Sequence, residues 1–299
     1  MRGIININKP QHMTSHDVVA ILRRCCGIKR IGHTGTLDPM ATGVLPVCIG
    51  NATRIMDYLD QEEKEYVAEM IFGYTTDTYD VWGKTVTTCT ESFPDRQQLE
   101  DILPFFLGTI EQIPPMYSAI KVNGRKLYEY ARKGQQVEVK SRKITIAKLQ
   151  LLDYGDKQAT IQIRCSRGTY IRSLIHDIGM KLGCGTVMSS LQRRESCGFY
   201  IEDALSIEDV RNMTREQIQE HLHPVDFPLE HLGILEFSNN QANSIIDGKE
   251  VAIKPSQIVK EPVSGQLYRV YRNGCFIGIV NRTEQNTAVA DKIFCVEKI

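Results

Sequence analysis

A loop bounded by glycine and proline places an acidic side chain where it could do chemistry. Asp38 lies within the stretch His33-Thr34-Gly35-Thr36-Leu37-Asp38-Pro39-Met40-Ala41-Thr42-Gly43-Val44-Leu45. Its glycines and proline disfavour a continuous helix or strand, so a tight, irregular loop is expected. A carboxylate held in such a loop can act as a nucleophile, a general base or a metal ligand.

The residues near Asp38 in the sequence reduce the number of roles that its carboxylate can have. No other acid, no cysteine and no pair of histidines accompanies it in this stretch, which disfavours a metal site. The residue types therefore leave a nucleophile or a general base. A turn aspartate that hydrogen-bonds its own backbone would give the same local sequence, and this alternative stays open at this point.

Basic residues concentrate in a segment that we call the basic arm, residues 115–143. The formal net charge of the whole chain is zero, but eight Lys and Arg face two Glu between Lys121 and Lys143. A second basic group precedes the Asp38 loop and comprises Arg23, Arg24, Lys29 and Arg30. Because a polyanion encounters local charge, this segregation favours a phosphate-binding face, although solvated helix faces would also produce it.

Composition excludes several classes of protein. The chain of 299 residues is 42% hydrophobic and has no apolar run near the roughly 20 residues that a membrane span needs. The N-terminus lacks the apolar core of a secretory signal, so a cytoplasmic protein is expected. Nine cysteines without metal-ligand spacing predict reduced thiols. Neither a P-loop nor a dinucleotide-binding fingerprint occurs.

Short elements must position the Asp38 loop. Alternation predicts strands over residues 3–8, 44–49 and 66–72, and Ser15 is placed to cap an amphipathic helix over residues 15–25. Further helices are predicted over residues 95–107, 124–134 and 170–182, and a hairpin joins residues 144–152 to 159–165. Strands and helices mix without strict alternation, which predicts an α+β fold with a mixed, largely antiparallel central sheet flanked by helices.

The last part of the chain differs in character. Strand-like segments over residues 267–271, 275–280 and 287–296, joined by turns such as Arg272-Asn273-Gly274, predict a small β-barrel-like module. We therefore expect a catalytic domain over residues 1–230 and a second domain over residues 231–299.

The Asp38 loop resembles the catalytic segment of the pseudouridine synthases, and its G-T-L-D-P-x-A-T-G-V-L form is similar to that of the TruB type. Further motifs in matching order extend the resemblance over nearly the whole chain: Asn8-Lys9-Pro10, Lys64-Glu65-Tyr66, Thr75-Thr76-Asp77-Thr78, Pro114-Pro115-Met116-Tyr117-Ser118 and Gly168-Thr169-Tyr170-Ile171-Arg172. The tail, with Phe276-Ile277-Gly278-Ile279-Val280, resembles a PUA domain. His12 and Gln192 depart from the family pattern, which usually has glycine and arginine there.

The resemblance implies a pseudouridine synthase fold and the isomerisation of uridine 55 in the tRNA T-loop. It implies no metal, nucleotide or organic cofactor. The basic arm would close over the T-stem-loop and the PUA domain would grip the acceptor stem. No membrane and no obligatory protein partner are expected, and a monomer is the default. A guide-RNA-dependent, dyskerin-like synthase and a tRNA-folding chaperone that acts independently of catalysis stay open as alternatives.

The resemblance also implies the roles of individual residues. Asp38 is the essential carboxylate, which attacks C6 of uracil or C1′ of ribose or assists a glycal route, and Arg172 is its ion-pair partner. Tyr66 stacks on the target base and Leu191 forms an apolar wall. His33 enters the RNA loop as the uridine leaves its stack. Further substrate contacts are expected from Lys9, Tyr170, Lys121 and Arg132.

Overall fold

The first part of the chain alternates irregularly between strands and helices. The computed structural model describes residues 1–59, 63–89, 93–135 and 137–295. The strands before residue 230 are β1 (Gly3–Lys9), β2 (Ile31–His33), β3 (Thr42–Ile49), β4 (Lys64–Phe72), β5 (Tyr74–Thr76), β6 (Thr85–Thr88), β7 (Gly108–Gln112), β8 (Lys121–Val122), β9 (Arg125–Lys126), β10 (Arg142–Gly155), β11 (Gln158–Cys165), β12 (Thr186–Ser196), β13 (Phe199–Tyr200) and β14 (Leu205–Ser206). The helices there are α1 (Ser15–Cys26), α2 (Arg96–Ile102), α3 (Leu127–Ala131), α4 (Ile171–Leu182), α5 (Ile207–Asn212) and α6 (Arg215–Glu220).

A mixed sheet forms the centre of this region. Its strands follow the order β14-β1-β3-β12-β4-β11-β10-β7, with β2 beside β3 and β13 beside β12. Neighbouring strands are antiparallel except in the pairs β1 with β14 and β3 with β12. Helices α1 and α4 bury apolar faces in the same core as the sheet. The predicted α+β class with a largely antiparallel sheet is confirmed.

The residue that caps helix α1 is Thr14, one residue before the predicted cap, Ser15. Thr14, in extended conformation, accepts a hydrogen bond from the backbone N–H of Asp17, and the Asp17 carboxylate accepts from the Thr14 backbone N–H. This reciprocal capping box satisfies two otherwise unpaired donors. The prediction that Ser15 caps the helix is wrong. Ser15 is buried and its hydroxyl instead contacts the backbone of Leu37.

Two predicted helices are shorter than their sequence windows. The window 95–107 holds α2 and a 3-10 helix, Leu103–Phe106, because Pro104 cannot continue the α-helical hydrogen bonding. The window 124–134 holds only α3. Asn123 and Gly124 both adopt left-handed φ values, 51° and 80°, in the turn between β8 and β9. An Asn-Gly pair favours such a hairpin turn over helix.

A second sheet occupies the C-terminal part of the chain. Its strands are β15 (Gly233–Glu236), β16 (Val251–Ala252), β17 (Ile258–Lys260), β18 (Leu267–Arg272), β19 (Cys275–Arg282) and β20 (Thr287–Ile293), with helix α7 (Asn239–Ile246) packed against them. Their order is β16-β20-β19-β18-β15-β17. This curled sheet is consistent with a PUA-like domain. The predicted last strand extends to residue 296, which lies outside the described residues.

An apolar cluster joins the two regions. Val44, Ile55 and Phe199 of the first region pack with Ile279 and Phe294 of the second. Hydrogen bonds cross the same boundary: the Arg54 guanidinium donates to the Ile293 carbonyl over 2.7 Å, and the Asn51 amide donates to the Phe294 carbonyl over 3.2 Å. The second sheet is therefore in contact with the 3-10 helix that follows β3, Gly50–Tyr58.

Candidate active site

The candidate site forms where three strands meet in the central sheet. Strand β12 lies between β3 and β4, and its residue Arg193 pairs with Gly43 on one side and with Tyr66 on the other. Residues 34–41 of the Asp38 loop connect β2 to β3 at this place. A Cβ at Gly43 would come within 2.2 Å of the Arg193 carbonyl, so this close approach of two strands requires glycine.

The Asp38 loop is irregular, as predicted, and is tied to its surroundings at several points. The Leu37 N–H donates to the Ser15 hydroxyl over 2.8 Å, and the Gly35 carbonyl accepts from Arg193 Nη2 over 3.0 Å. Leu37 and Met40 on either side of Asp38 are buried. The backbone on both sides of the carboxylate is therefore held by neighbouring elements.

Asp38 and Arg172 form an ion pair, although 134 residues separate them. Arg172 Nε donates to Asp38 Oδ2 over 2.9 Å. The Arg172 side chain is 5% exposed and the Asp38 side chain 38% exposed. The guanidinium thus fixes the carboxylate from the buried side and leaves its other side open.

The other nitrogens of Arg172 are also bound. Nη1 donates to the Thr78 carbonyl and Nη2 to the Tyr117 carbonyl, each over 2.9 Å. Asp80 Oδ2 lies 3.9 Å from Nη1. Burial raises the pKa of the Asp80 carboxyl, while hydrogen bonding from Thr78 and the charge of Arg172 oppose the rise. These contacts leave Arg172 little freedom to leave Asp38, because its donors converge on fixed backbone atoms.

A cavity of about 540 Å³ opens in front of this ion pair. Six of the residues predicted for the site line it: His33, Asp38, Tyr66, Tyr170, Arg172 and Leu191. These residues come from distant parts of the chain and the fold brings them together. Their individual roles stay predictions, but the cavity is large enough to admit a small polar ligand.

Tyr66 offers the cavity an aromatic side chain that is 7% exposed. Burial raises the pKa of its hydroxyl, and the nearby Arg193 guanidinium opposes the rise. The phenol is therefore protonated at neutral pH and can donate a hydrogen bond. Leu191 is also buried and supplies an apolar side of the same cavity.

His33 lies at the end of β2 and is half-buried. Burial lowers the pKa of its imidazole, and the charges of Arg193, His16 and Lys64 lower it further. The ring is therefore neutral at physiological pH. Its Nδ1 is buried and has no hydrogen-bond partner among the residues that the structure describes.

Three predicted contact residues lie outside the cavity lining. Lys9 is fully buried, and its Nζ donates to the carbonyls of Pro10 and Met13 over 2.8 and 2.7 Å. Burial lowers its pKa to about 8. Lys121 is exposed on β8, and the Arg132 guanidinium lies 5.2 Å from the ring centre of Tyr128, which does line the cavity. Substrate contact by these three residues stays a prediction.

Sequence reasoning missed Arg193, whose side chain is fully buried. Nε donates to the Val44 carbonyl over 2.7 Å and Nη2 donates to the Gly35 carbonyl over 3.0 Å. The signal in the sequence was the two-residue spacing from Leu191, which puts both side chains on one face of a strand.

Three further cations, Lys64, Arg142 and Arg167, line the cavity. Burial lowers the pKa of Lys64 to about 8, and the charge of Arg193 adds to the effect. The guanidinium of Arg142 lies 4.6 Å from the ring centre of Tyr170 and donates to the Gly168 carbonyl. The mouth of the cavity therefore combines positive charge with aromatic surface.

Comparison with solved structures shows the same overall fold. A chain in the crystal structure of a Cbf5–Nop10–Gar1 complex matches with a TM-score of 0.75 and 24% identity, covering 99% of this chain and 85% of that one. A chain in the structure of an H/ACA RNP bound to a substrate RNA containing 2′-deoxyuridine matches with a TM-score of 0.71 and 23% identity, covering 98% and 85%.

Sequence comparison is more specific. tRNA pseudouridine synthase B of Clostridium tetani is 41% identical over 285 residues, covering 95% of this chain and 97% of that protein. The protein of the same name from Clostridium kluyveri is 44% identical over 280 residues, covering 93% and 95%. The family models for the TruB family pseudouridylate synthase N-terminal domain and the tRNA pseudouridylate synthase B C-terminal domain match residues 23–171 and 172–230. With this sequence, this fold and a buried arginine set against a loop aspartate, the chain belongs to the TruB family of pseudouridine synthases.

Proposed function

We propose that this protein isomerises uridine 55 in the T-loop of tRNA to pseudouridine, with Asp38 as the nucleophile or base. The observation that supports this most directly is the Asp38–Arg172 ion pair, which faces a cavity of about 540 Å³ with one side of the carboxylate open. Its relatives at 41% and 44% identity are named tRNA pseudouridine synthase B.

The chemistry needs few groups. The bond between C1′ and N1 breaks, a bond between C1′ and C5 forms, C5 loses a proton and N1 gains one. No electrons or phosphate are transferred, so a positioned carboxylate with proton-transfer groups suffices. Asp38 attacks C6 or C1′ or removes a proton on a glycal route. Tyr66 stacks on the base, and its protonated hydroxyl is positioned to take part in proton transfer.

The target uridine must leave its stack to reach Asp38, since a base stacked inside a folded RNA loop is inaccessible to a carboxylate that faces a cavity. Leu191 and Tyr66 would receive the flipped base between an apolar and an aromatic surface. His33 would fill the vacated place in the RNA. Its neutral ring suits insertion among bases, since no charge has to be desolvated.

The remaining surfaces would hold the RNA. Lys64, Arg142 and Tyr170 at the cavity, with Lys121 and Arg132 in the basic arm, would contact the phosphates and bases of the T-stem-loop. We assign residues 1–230 to the catalytic domain and residues 231–299 to a PUA domain that contacts the acceptor stem. The protein would act alone, as a monomer.

The test is incubation of the purified chain with an unmodified tRNA transcript, followed by nucleotide-resolution mapping of pseudouridine. We expect modification at position 55 alone and without added guide RNA. The Asp38→Asn variant should form no pseudouridine and should bind the transcript within about threefold of the unaltered protein, because the carboxylate acts on the base and not on phosphates.

Three results would contradict the proposal. Turnover by Asp38→Asn would remove the carboxylate from the mechanism. Modification only after addition of a guide RNA would support the dyskerin-like alternative. Refolding of misfolded tRNA without any pseudouridine formation would leave the chaperone function alone.

A further inference from the structure

The only tryptophan in the sequence, Trp82, lies on the surface and stacks on His12. Their ring centres are 5.1 Å apart and the ring planes differ by 9°. Trp82 is 50% exposed and His12 is also exposed. Single exposed apolar residues are ordinary on protein surfaces. The position and rigidity of this pair distinguish it from such residues.

Both residues are hydrogen-bonded to the catalytic machinery through their backbones. The His12 N–H donates over 2.8 Å to the carbonyl of Pro39, the residue after Asp38. The Trp82 N–H donates over 3.0 Å to Asp80 Oδ1, and Asp80 Oδ2 lies 3.9 Å from Arg172 Nη1. The stacked pair is therefore connected to Asp38 through Pro39 and to Arg172 through Asp80.

The turn that carries Trp82 is fixed in the free protein. The Val81 N–H donates to the Met188 carbonyl over 3.0 Å and the Gly83 N–H to the Asp80 carbonyl over 3.2 Å. Gly83 packs so tightly that a Cβ there would lie 2.3 Å from the Thr78 hydroxyl. His12 holds a left-handed φ of 63° on the other side. The backbone that carries the indole is thus held in place before any ligand binds.

We propose that the Trp82–His12 pair is a stacking platform for an unpaired base of the RNA substrate, next to the flipped uridine. This inference rests on the proposed function and adds a contact to it. Flipping one nucleotide exposes the faces of its neighbours, and an exposed aromatic ring whose backbone is tied to the residues around Asp38 and Arg172 can cover such a face. Stacking of this kind tolerates any base. Exposed Lys84, two residues after Trp82, can pair with the adjoining phosphate.

Trp82 can serve as an intrinsic fluorescent probe, because the sequence has no other tryptophan. Its fluorescence, excited at wavelengths where tyrosine does not absorb, is measured while a T-stem-loop RNA is added to the Asp38→Asn protein, which holds the substrate without turnover. We expect strong quenching. A series of RNAs, each with one abasic loop nucleotide, should lose the quenching at a single position that is not the target uridine.

Substitutions give a second measurement. Trp82→Ala should weaken binding of the RNA by about 5- to 150-fold, whereas Trp82→Phe should stay within about threefold because it keeps a π-face. His12→Gly, which suits the left-handed backbone and removes the imidazole, should give an intermediate loss. Phe105→Ala is the matched control, because Phe105 is 68% exposed and lies beside Lys181 at the far end of α4 from Arg172.

The proposal is overturned if saturating RNA leaves the fluorescence unchanged or if Trp82→Ala binds RNA like the unaltered protein. A lower kcat of Trp82→Ala with unchanged RNA affinity would also overturn it, since the pair would then only position Asp80. Quenching that depends on one loop nucleotide, together with no pseudouridine formation by the unaltered protein, would support the platform and reject the proposed reaction. The two failures are therefore distinguishable.

Discussion

The Asp38 loop and the basic arm are built in opposite ways. Residues 34–41 have little regular structure, yet Leu37, Met40 and Ala41 are buried and side chains from distant elements bind the loop backbone. The basic arm has regular structure in β8, β9 and α3, but these elements are two, two and five residues long. Among described residues 121–143, Leu127 is the only buried one.

The two regions are ordered by different kinds of contact. The loop is ordered by long-range contacts that exist without substrate, so the carboxylate is positioned in advance. The basic arm is held mainly by local hydrogen bonds, such as that from Leu127 N–H to the Ile120 carbonyl over 2.8 Å. A segment with few buried apolar contacts opens at low free energy. The basic arm should therefore deform at a lower free-energy cost than the Asp38 loop.

The largest expected effect comes from the ion pair that fixes the loop. Arg172→Ala should lower kcat by about 10²- to 10³-fold, because Asp38 loses its positioning charge. The Kd for tRNA should change by less than about threefold, since Arg172 is buried behind the carboxylate. Single-turnover kinetics and filter binding measure the two quantities.

Arg167→Ala is the matched control for this prediction. Arg167 lines the same cavity but is exposed. Its loss should weaken tRNA binding more than it lowers kcat. If Arg172→Ala weakened binding and turnover equally, Arg172 would be a phosphate contact and the loop would not depend on it.

A smaller effect is expected from Arg193, which holds the Gly35 and Val44 carbonyls. Arg193→Met should lower kcat by about 10- to 100-fold, because the loop backbone loses a tether and can move away from Arg172. The free energy of unfolding should change by less than about 2 kcal/mol, since removing a buried guanidinium without a carboxylate partner also removes its desolvation cost. Urea denaturation checks the second statement.

Loss of several kcal/mol of stability in Arg193→Met, with kcat unchanged, would make Arg193 a structural core residue. Arg194→Met serves as the control because the Arg194 side chain is partly exposed, at 42%, and pairs with Glu202. It should change neither quantity measurably, since exposed ion pairs contribute little.

Loss of positive charge in the basic arm should change the salt dependence of tRNA binding and leave kcat unchanged. The double variant Lys121→Gln, Arg132→Gln should reduce the slope of log Kd against log salt by about 1 to 2, because each cation that contacts a phosphate releases counterions. At saturating tRNA its kcat should match the unaltered protein. Lys148→Gln, an exposed lysine on β10 outside the basic arm, should leave the slope unchanged. A flat salt response of the unaltered protein would remove the basic arm from RNA binding.

The same contrast explains what could be predicted from sequence. Local patterns predicted the strands around Asp38 and the buried stripe of α1, since these depend on periodicity. The convergence of Asp38 with Arg172 came from the family resemblance alone. Nothing local indicates that β12 inserts between β3 and β4, because strand pairing is non-local.

Buried cations were the main failure of sequence reasoning. Arg193 and Lys9 are both fully buried, although a charged residue is expected to be exposed. Only the finished fold supplies the backbone carbonyls that make their burial tolerable. The Ser15 cap failed for a related reason, since Thr14 completes the local capping box and leaves Ser15 free to contact Leu37, 22 residues away.

The smallest predicted effect concerns the helix that carries Arg172. Burial raises the pKa of Asp177 on α4 to about 6 from an ordinary value of 3.8. Between these values the folded protein holds a proton that the unfolded chain has released. This proton contributes stability below about pH 4, and the contribution is lost as the pH rises through about 6. Asp177→Asn removes the titration.

The two proteins should therefore differ in stability by an amount that depends on pH. Relative to the unaltered protein, Asp177→Asn should gain about 1–2 kcal/mol between pH 4 and 7, a value reduced for the partial exposure of the carboxyl. Asp101→Asn, an exposed acid on α2, should give no such gain. Urea denaturation across this pH range measures both. Parallel stability curves would mean that Asp177 is ionised in the folded protein across this pH range, which would contradict the prediction.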